Sequence, residues 1–313
     1  MFQRLKPYLA MTATCVLFAF SFLFTKDATR YLTTFQLLGY RFLVAAVVLT
    51  ILALVKVVRL NLTISKVRSM LLLTLLLPVT YFICETNGVR LTTTSETGII
   101  MALGPIVITL FSVLIMREKL PVFRWVSAAV SVSGAVVMVL AQGFQADISH
   151  SLGYLALLGA VVSGGLFNPL SKKVSEHSTP IEITFVMMWV GAIVFNCFIG
   201  LPMAAMNGTL GSYFTSLLTP RVAIGMVYLG VGCSVVAFFF QNYALSKLKT
   251  SVVGAYGNIM PVITVLAGML INGDRLSPLQ CVGAALIFGG IWGSLRRFRE
   301  PAKEQAAVEA ITG

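Results

Sequence analysis

The chain has 313 residues, of which 58% are hydrophobic and only 11% are charged. Because a soluble globular domain carries about 25% charged residues, this composition excludes a water-soluble fold and indicates that the chain lies in a lipid bilayer. The net charge of +12 does not indicate a nucleic-acid partner, since the basic residues lie in short clusters between long apolar runs.

Long apolar runs follow one another along the whole chain. A helix that crosses the hydrocarbon core of a bilayer needs about 20 mostly apolar residues. Ten segments meet this requirement, so we predict an all-α integral membrane protein with ten transmembrane helices. In chain order, the predicted spans are Pro7–Thr25, Phe35–Val55, Ser69–Gly88, Ser95–Met116, Val122–Ala141, Ser151–Leu170, Pro180–Pro202, Val222–Ala244, Ser251–Ile271 and Pro278–Leu295. The first run lacks a small-residue cleavage site, so we expect it to be a span and not a signal peptide.

The basic residues outside the spans predict the orientation. With the N-terminus in the cytoplasm, 17 of the 23 Lys and Arg residues fall in cytoplasmic segments and five in external ones. This bias predicts a multi-pass protein of the cytoplasmic membrane (plasma or inner membrane) with both termini in the cytoplasm. Residues 299–313 form a predicted polar cytoplasmic tail.

The second half of the chain repeats the first. A shift of 156 residues places Pro261 on Pro105, and a shift of 146 residues earlier in the chain places Lys172 on Lys26. The predicted five-helix repeats are residues 7–141 and residues 151–296. Because five is an odd number, the two copies enter the membrane from opposite sides, which predicts an inverted repeat. Secondary transporters built in this way bind their substrate near the midplane, between the halves.

Several stretches recur at matching places in the two repeats, and one more lies in span two. They are Asn87-Gly-Val-Arg, Gly98, Pro105 and Glu118-Lys-Leu120 in the first repeat, Asn242-Tyr-Ala-Leu, Thr250-Ser, Pro261 and Asp274-Arg-Leu276 in the second, and Tyr40-Arg41-Phe42 in span two. Together these stretches resemble the EamA family of the drug/metabolite transporter superfamily, over about residues 7–296. The resemblance implies ten spans around a central cavity and transport of amino acids, other metabolites or toxic compounds, often outward.

Small and polar residues at three- and four-residue spacing mark one face of spans three, four, eight and nine. Such a face favours either tight helix packing or a water-accessible cavity. Glu85, Gln241 and Asn258 favour the cavity, because a buried polar group is costly unless it is satisfied. Pro105 and Pro261 each lie mid-span and predict paired hinges, with static kinks as the alternative.

Charged residues at membrane depth are candidates for the translocation site. Arg41 lies inside span two, and we expect it to bind substrate, to reach the outer interface or to pair structurally with Glu85. Glu85, near the outer end of span three, is the candidate site for a proton or a substrate amine. Glu96 is either part of the same site or a favourable acidic residue in the first turn of span four.

Other polar and aromatic residues complete the candidate site. Asn168 precedes Pro169 near the end of span six, where the pair predicts a gate or a simple helix end. Tyr81 and Tyr256 are candidates to stack against a flat ligand. Two further residues near span ends, His150 and Glu182, are predicted to be solvated loop or interface residues.

Motifs for catalysis and cofactor binding are missing from the sequence. It contains no G-x-x-x-x-G-K-[ST] and no H-E-x-x-H motif, and its five cysteines form no C-x-x-C pair. We therefore expect no enzyme activity, cofactor or metal site. The predicted function is a secondary transporter that exports a small polar metabolite, an amino acid or a related compound, by alternating access, with a proton as a candidate coupling ion. An intramembrane transferase, a channel and a structural membrane subunit are the alternatives.

Overall fold

A computed structural model describes residues 2–116, 122–140, 148–248, 250–257 and 259–296. These residues form helices and contain no β-strand. The helices are α1 (Phe2–Ala28), α2 (Thr34–Leu54), α3 (Ile64–Leu91), α4 (Thr94–Met116), α5 (Val122–Leu140), α6 (Ile148–Val174), α7 (Pro180–Met206), α8 (Pro220–Lys247), α9 (Val252–Asn272, of which residue 258 is not described) and α10 (Pro278–Arg296).

Eight of these helices are long and apolar enough to cross a membrane. The other two, α5 and α10, carry the shorter apolar stretches Trp125–Val137 and Pro278–Gly290. The prediction of an all-helical fold is thus confirmed for the described residues, while a count of ten spans stays a prediction. The predicted tail, residues 299–313, lies outside the described residues.

Capping boxes fix the starts of α2, α4 and α7. In each box a Thr hydroxyl accepts the N–H of the third helical residue, whose side chain accepts the N–H of that Thr. The three capping threonines are Thr33, Thr93 and Thr179. Each box satisfies two N–H groups that the helix leaves without partners, and a cap of this kind typically stabilises a protein by about 1 kcal/mol.

The acidic member of the α7 box, Glu182, was wrongly predicted to be solvated. It is 1% exposed. Besides the capping bond, its carboxylate accepts hydrogen bonds from Lys66 Nζ at 3.0 Å and from the backbone N–H of Asn61 at 2.9 Å. Because its partners lie about 120 residues away, no local pattern signals this burial, which ties the α2–α3 connection to α7.

Contacts sort six of the helices into two groups. Helix α6 packs against α3 and α4, and we call these three the α6 group. Helix α1 packs against α8 and α9, and we call these three the α1 group. Helices α4 and α9 also pack along each other and so join the groups. Helix α2 packs against α7 and α8, and α5 packs against α10.

Several helices are interrupted near their centres. In α3 the backbone of Leu77 is extended, with φ −140° and ψ 115°, directly before Pro78. The carbonyl of Leu76 accepts a hydrogen bond of 2.7 Å from Ser163 Oγ of α6. In α8 the segment Tyr228–Ala237 winds as a π-helix, and the carbonyl of Ala237 accepts from Thr14 Oγ1 of α1 at 3.2 Å. Neighbouring helices thus bind carbonyls at these interruptions, as a bilayer requires.

The interruption in α4 lies slightly before the predicted position. The helix pauses at Ala102 and Leu103 and restarts as Gly104–Met116, so Pro105 is the second residue of the restarted segment. A proline costs little there, because the first N–H groups of a helical segment have no intrahelical partner. Its counterpart Pro261 lies in the helical segment Ile259–Ala267 of α9. Pro105 therefore follows a break in α4 and does not kink a continuous helix.

The close pairing of α5 and α10 leads to the first prediction. A side chain added at Gly290 would meet Ser131 Oγ and would lie 2.6 Å from the backbone oxygen of Ser127, whereas Gly289 faces open space. We expect Gly290→Val to lower the free energy of unfolding by about 1–3 kcal/mol more than Gly289→Val, because only the first forces the helices apart. Thermal unfolding in detergent measures the difference. Equal melting temperatures for the two variants would contradict this packing.

Candidate functional site

A central cavity of about 120 Å³ lies between the α1 group and the α6 group. Side chains of α1, α3, α4, α6, α8 and α9 line it, together with Arg41 from α2. The lining is mostly apolar and includes the aromatic rings of Phe18, Phe22, Phe82 and Phe238. A few polar groups in an apolar cavity are the usual composition of a small-molecule site.

The structure brings six of the predicted site and hinge residues together around this cavity. They are Arg41, Tyr81, Glu85, Pro105, Asn168 and Gln241. They come from five helices that are far apart in sequence. Charges of both signs and two amide side chains therefore face one space.

Arg41 is the most unusual residue of the lining, because its guanidinium is 1% exposed inside the bundle. Its Nε donates a hydrogen bond of 2.9 Å to Ser234 Oγ, and its guanidinium carbon lies 4.2 Å from the centre of the Phe82 ring. Among the described residues, its Nη1 has no hydrogen-bond partner. A buried charged donor without a partner is costly, so this nitrogen is suited to bind an acceptor that enters the cavity.

Glu85 supplies the acidic side chain of the cavity and is also 1% exposed. Thr86 Oγ1 donates to Glu85 Oε2 at 3.0 Å. Within the described part of the chain, no direct ion pair joins Glu85 to Arg41. The two charges therefore share the cavity without neutralising each other in direct contact.

Asn168 and Gln241 lie where the two helix groups approach each other. Asn168 Nδ2 donates to the carbonyl of Gly164 at 2.8 Å, which fixes the amide on α6. Gln241 Nε2 of α8 lies 3.5 Å from Asn168 Oδ1, at the outer limit of a hydrogen bond. This weak contact links the α6 group to the α1 group across the cavity.

Glu96 belongs to a different cluster, at the start of α4. Its carboxylate accepts a hydrogen bond from Tyr154 OH at 2.8 Å and another from Gln280 Nε2, and His150 Nε2 lies 3.1 Å away. It also closes the capping box with Thr93. The described lining of the cavity does not include Glu96, whose contacts instead join α4 to α6 and α10. His150, predicted to be solvated, is partly buried because it belongs to this cluster.

Three further predicted residues take other positions. The ring of Tyr256 packs against the ring of Tyr8, with 5.8 Å between the centroids, and is not in the described cavity lining. Pro261 is buried in α9 and is likewise not in that lining. Asn258 lies outside the described residues.

Two contacts of the buried charges were not predicted from the sequence. Ser234 lies on the small and polar face of span eight and Phe82 carries no polar signal, so the sequence does not pair either residue with Arg41. The described residues contain no cluster of three or more His, Cys, Asp or Glu side chains that could hold a metal ion.

Comparison with known proteins identifies the family. The model of the EamA-like transporter family matches residues 5–140 and again residues 151–296. The chain belongs to the EamA-like transporter family. It is therefore a multi-pass membrane protein with a transporter role.

Relatives agree with this assignment. The chain is 29% identical to the uncharacterized transporter YcxC of Bacillus subtilis, over 93% of each chain. It is 24% identical to a probable amino-acid metabolite efflux pump of Salmonella typhimurium, over 64% of each chain. It is 23% identical to the aromatic amino acid exporter YddG of Ancylobacter novellus, over 65% of this chain and 68% of that one.

A solved structure supports the fold alone. The crystal structure of another protein matches with a TM-score of 0.61 at 19% identity, over 93% of this chain and 98% of that one.

Proposed function

We propose that this transporter exports a small polar metabolite, an amino acid or a related compound, across the cytoplasmic membrane by alternating access. The observation that carries the proposal is the central cavity, in which the unpaired Nη1 of Arg41 and the carboxyl group of Glu85 face one apolar space. Two relatives, named as an amino-acid metabolite efflux pump and an aromatic amino acid exporter, support the substrate class and the direction.

The proposed substrate is held by groups of opposite sign. Its carboxylate accepts hydrogen bonds from Arg41, so that Nη1 gains the acceptor it lacks among the described residues. Its amine lies at Glu85. The amides of Asn168 and Gln241 supply neutral donors and acceptors. The apolar wall accommodates the side chain of the substrate, so that burial of apolar surface contributes to binding.

The proposed movement is a rocking of the α1 group against the α6 group about the α4–α9 crossing. The inverted repeat supports this mechanism, because two copies of one unit in opposite orientations give equivalent inward-open and outward-open states. The break before Pro105 supplies a flexible point on α4, and Pro261 is its proposed counterpart on α9. Ten spans and cytoplasmic termini belong to the same proposal.

The proposed coupling ion is a proton carried by Glu85. A proton and the substrate amine compete for one carboxylate, so proton entry follows substrate release and the site alternates between the two cargoes. Uniport and exchange of metabolites are the competing modes.

Counterflow tests the proposed carrier without knowledge of the coupling ion. Proteoliposomes are loaded with one unlabelled amino acid or nucleobase from a panel, and uptake of the labelled compound is followed with no imposed gradient. We expect an amino acid to accumulate transiently above its equilibrium level. Arg41→Met should lower the initial rate by at least about tenfold, because a charge-assisted contact with the carboxylate is lost. Arg68→Met, the same change at an exposed position, should keep the rate.

Two results would contradict the proposal. One is the failure of every compound to accumulate in tight vesicles that hold folded protein. The other is a flux that does not saturate and shows no counterflow, which indicates a channel.

Replacement of Glu85 tests the proton. Glu85→Gln keeps the shape and polarity of the side chain but cannot exchange a proton near neutral pH. We expect the variant to retain counterflow at equal pH on both sides, at a reduced rate, and to lose accumulation driven by an imposed pH gradient. The pH-driven uptake of wild type and variant in the same vesicles is the measurement. An unchanged response to the pH gradient would remove Glu85 from the coupling mechanism.

A further inference from the structure

Two lysines make the same unusual set of contacts at related places in the two repeats. Lys26 Nζ donates to the backbone carbonyl of Val89 at 2.9 Å, to that of Arg90 at 3.0 Å, and to that of Thr92. Lys172 Nζ donates to the carbonyls of Leu245 at 2.8 Å, Ser246 at 3.4 Å and Leu248 at 3.1 Å. The 146-residue shift relates the two lysines, and the 156-residue shift relates each of the three carbonyl pairs.

The chemistry of these contacts favours strong caps. The last carbonyls of a helix have no intrahelical partner and form the negative end of the helix dipole. A lysine ammonium carries one positive charge and three donors, which match three such carbonyls. Both lysines are partly buried, so solvent competes only partly for these bonds.

Each cap connects the two helix groups. Lys26 belongs to α1 and binds the end of α3, so it joins the α1 group to the α6 group. Lys172 belongs to α6 and binds the end of α8, so it joins the α6 group to the α1 group. Neither cap is internal to one group.

The caps lie at opposite ends of the bundle. Lys26 lies at the end of α1 and binds the end of α3, which leads directly into the start of α4 at Thr94. Glu96 at the start of α4 contacts Tyr154 near the start of α6. The start of α6 therefore lies at the Lys26 end, and Lys172, in the last turn of the 27-residue helix α6, lies at the opposite end.

We propose that Lys26 and Lys172 are paired latches, each of which must release its carbonyls for the cavity to open at its own end. The proposal rests on the alternating access described above. When the α1 group rocks against the α6 group, one end parts while the other closes, so one cap breaks as the other holds. Equivalent chemistry at both ends keeps the two open states close in energy.

The accessibility of Cys15 tests the latches, because this residue lines the cavity and is 2% exposed. Right-side-out and inside-out membrane vesicles are treated with a membrane-impermeant maleimide, and modification of Cys15 is read by peptide mass spectrometry. A cleavable N-terminal tag reports which face carries the Lys172 end, where α1 begins.

The two latch variants should give opposite results. Lys26→Met should raise the labelling rate of Cys15 from the Lys26 end by about tenfold and lower it from the Lys172 end. The reason is that the charge-assisted hydrogen bonds to the helix-end carbonyls are lost at one end only. Lys172→Met should give the mirror image. Lys173→Met, which removes the exposed neighbour of Lys172, should give the wild-type rates from both sides.

A purely structural role predicts a different pattern. Loosening of the fold would raise labelling from both sides, and an equal change from both sides, or none, would overturn the latch proposal. If a methionine variant does not fold, Lys26→Arg and Lys172→Arg keep the charge but replace the compact ammonium, and they should shift labelling in the same opposite directions.

This experiment is independent of the substrate. If the two variants shift the labelling of Cys15 in opposite directions but the protein shows no counterflow, the latch proposal stands and the proposed substrate class is overturned. If the protein shows counterflow but each variant changes the labelling of Cys15 equally from both sides, only the latch proposal is overturned.

Discussion

The structure depends on one constraint, which is that a peptide group in the hydrocarbon core of a bilayer must find a partner within the protein. Continuous helices meet this requirement by themselves, but α3, α4 and α8 are interrupted or rewound. Side chains of neighbouring helices bind the affected carbonyls, as Ser163 does for Leu76. At the helix ends, lysine ammonium groups donate to carbonyls, and threonine hydroxyls accept N–H groups of the first turn. These hydrogen bonds fix the positions of neighbouring helices relative to each other along the bundle, which non-directional apolar packing does not do.

The same constraint explains why the interruptions surround the cavity. Irregular backbone at membrane depth is stable only where it is buried in protein or borders a water-accessible space. Leu77 in α3 and Gly104 in α4 both line the cavity. The polar lining and the interrupted helices are therefore two consequences of one arrangement, in which two groups of helices enclose a space between them.

Much of the fold could be predicted because its signals are local or repeated. The length of the apolar runs predicts the helices, and Arg41 and Glu85 stand out because a charge in such a run is costly. The repeat shift by itself relates Lys26 to Lys172. Carbonyl partners carry no side-chain signature, however, so the role of these lysines as caps is visible only in three dimensions.

Other features could not be predicted because they depend on distant partners. Glu96 has the sequence position of a translocation residue, yet it lies with Tyr154 and Gln280, which are 58 and 184 residues away. The break in α4 lies at Ala102 and Leu103, before Pro105. A proline predicts that a helix is interrupted nearby but does not fix the residue at which the interruption begins.

Hydrogen–deuterium exchange in lipid nanodiscs tests most directly the claim that the interrupted helices border a water-accessible cavity. The amides of Met101–Ile106 in α4 are compared with those of Phe42–Leu49, an uninterrupted stretch of α2 that does not line the described cavity. We expect the α4 peptide to exchange at least about tenfold faster, because its interruption opens to water. Exchange as slow as that of α2 would mean that the breaks are dry packing kinks, and it would contradict the central cavity as the transport site.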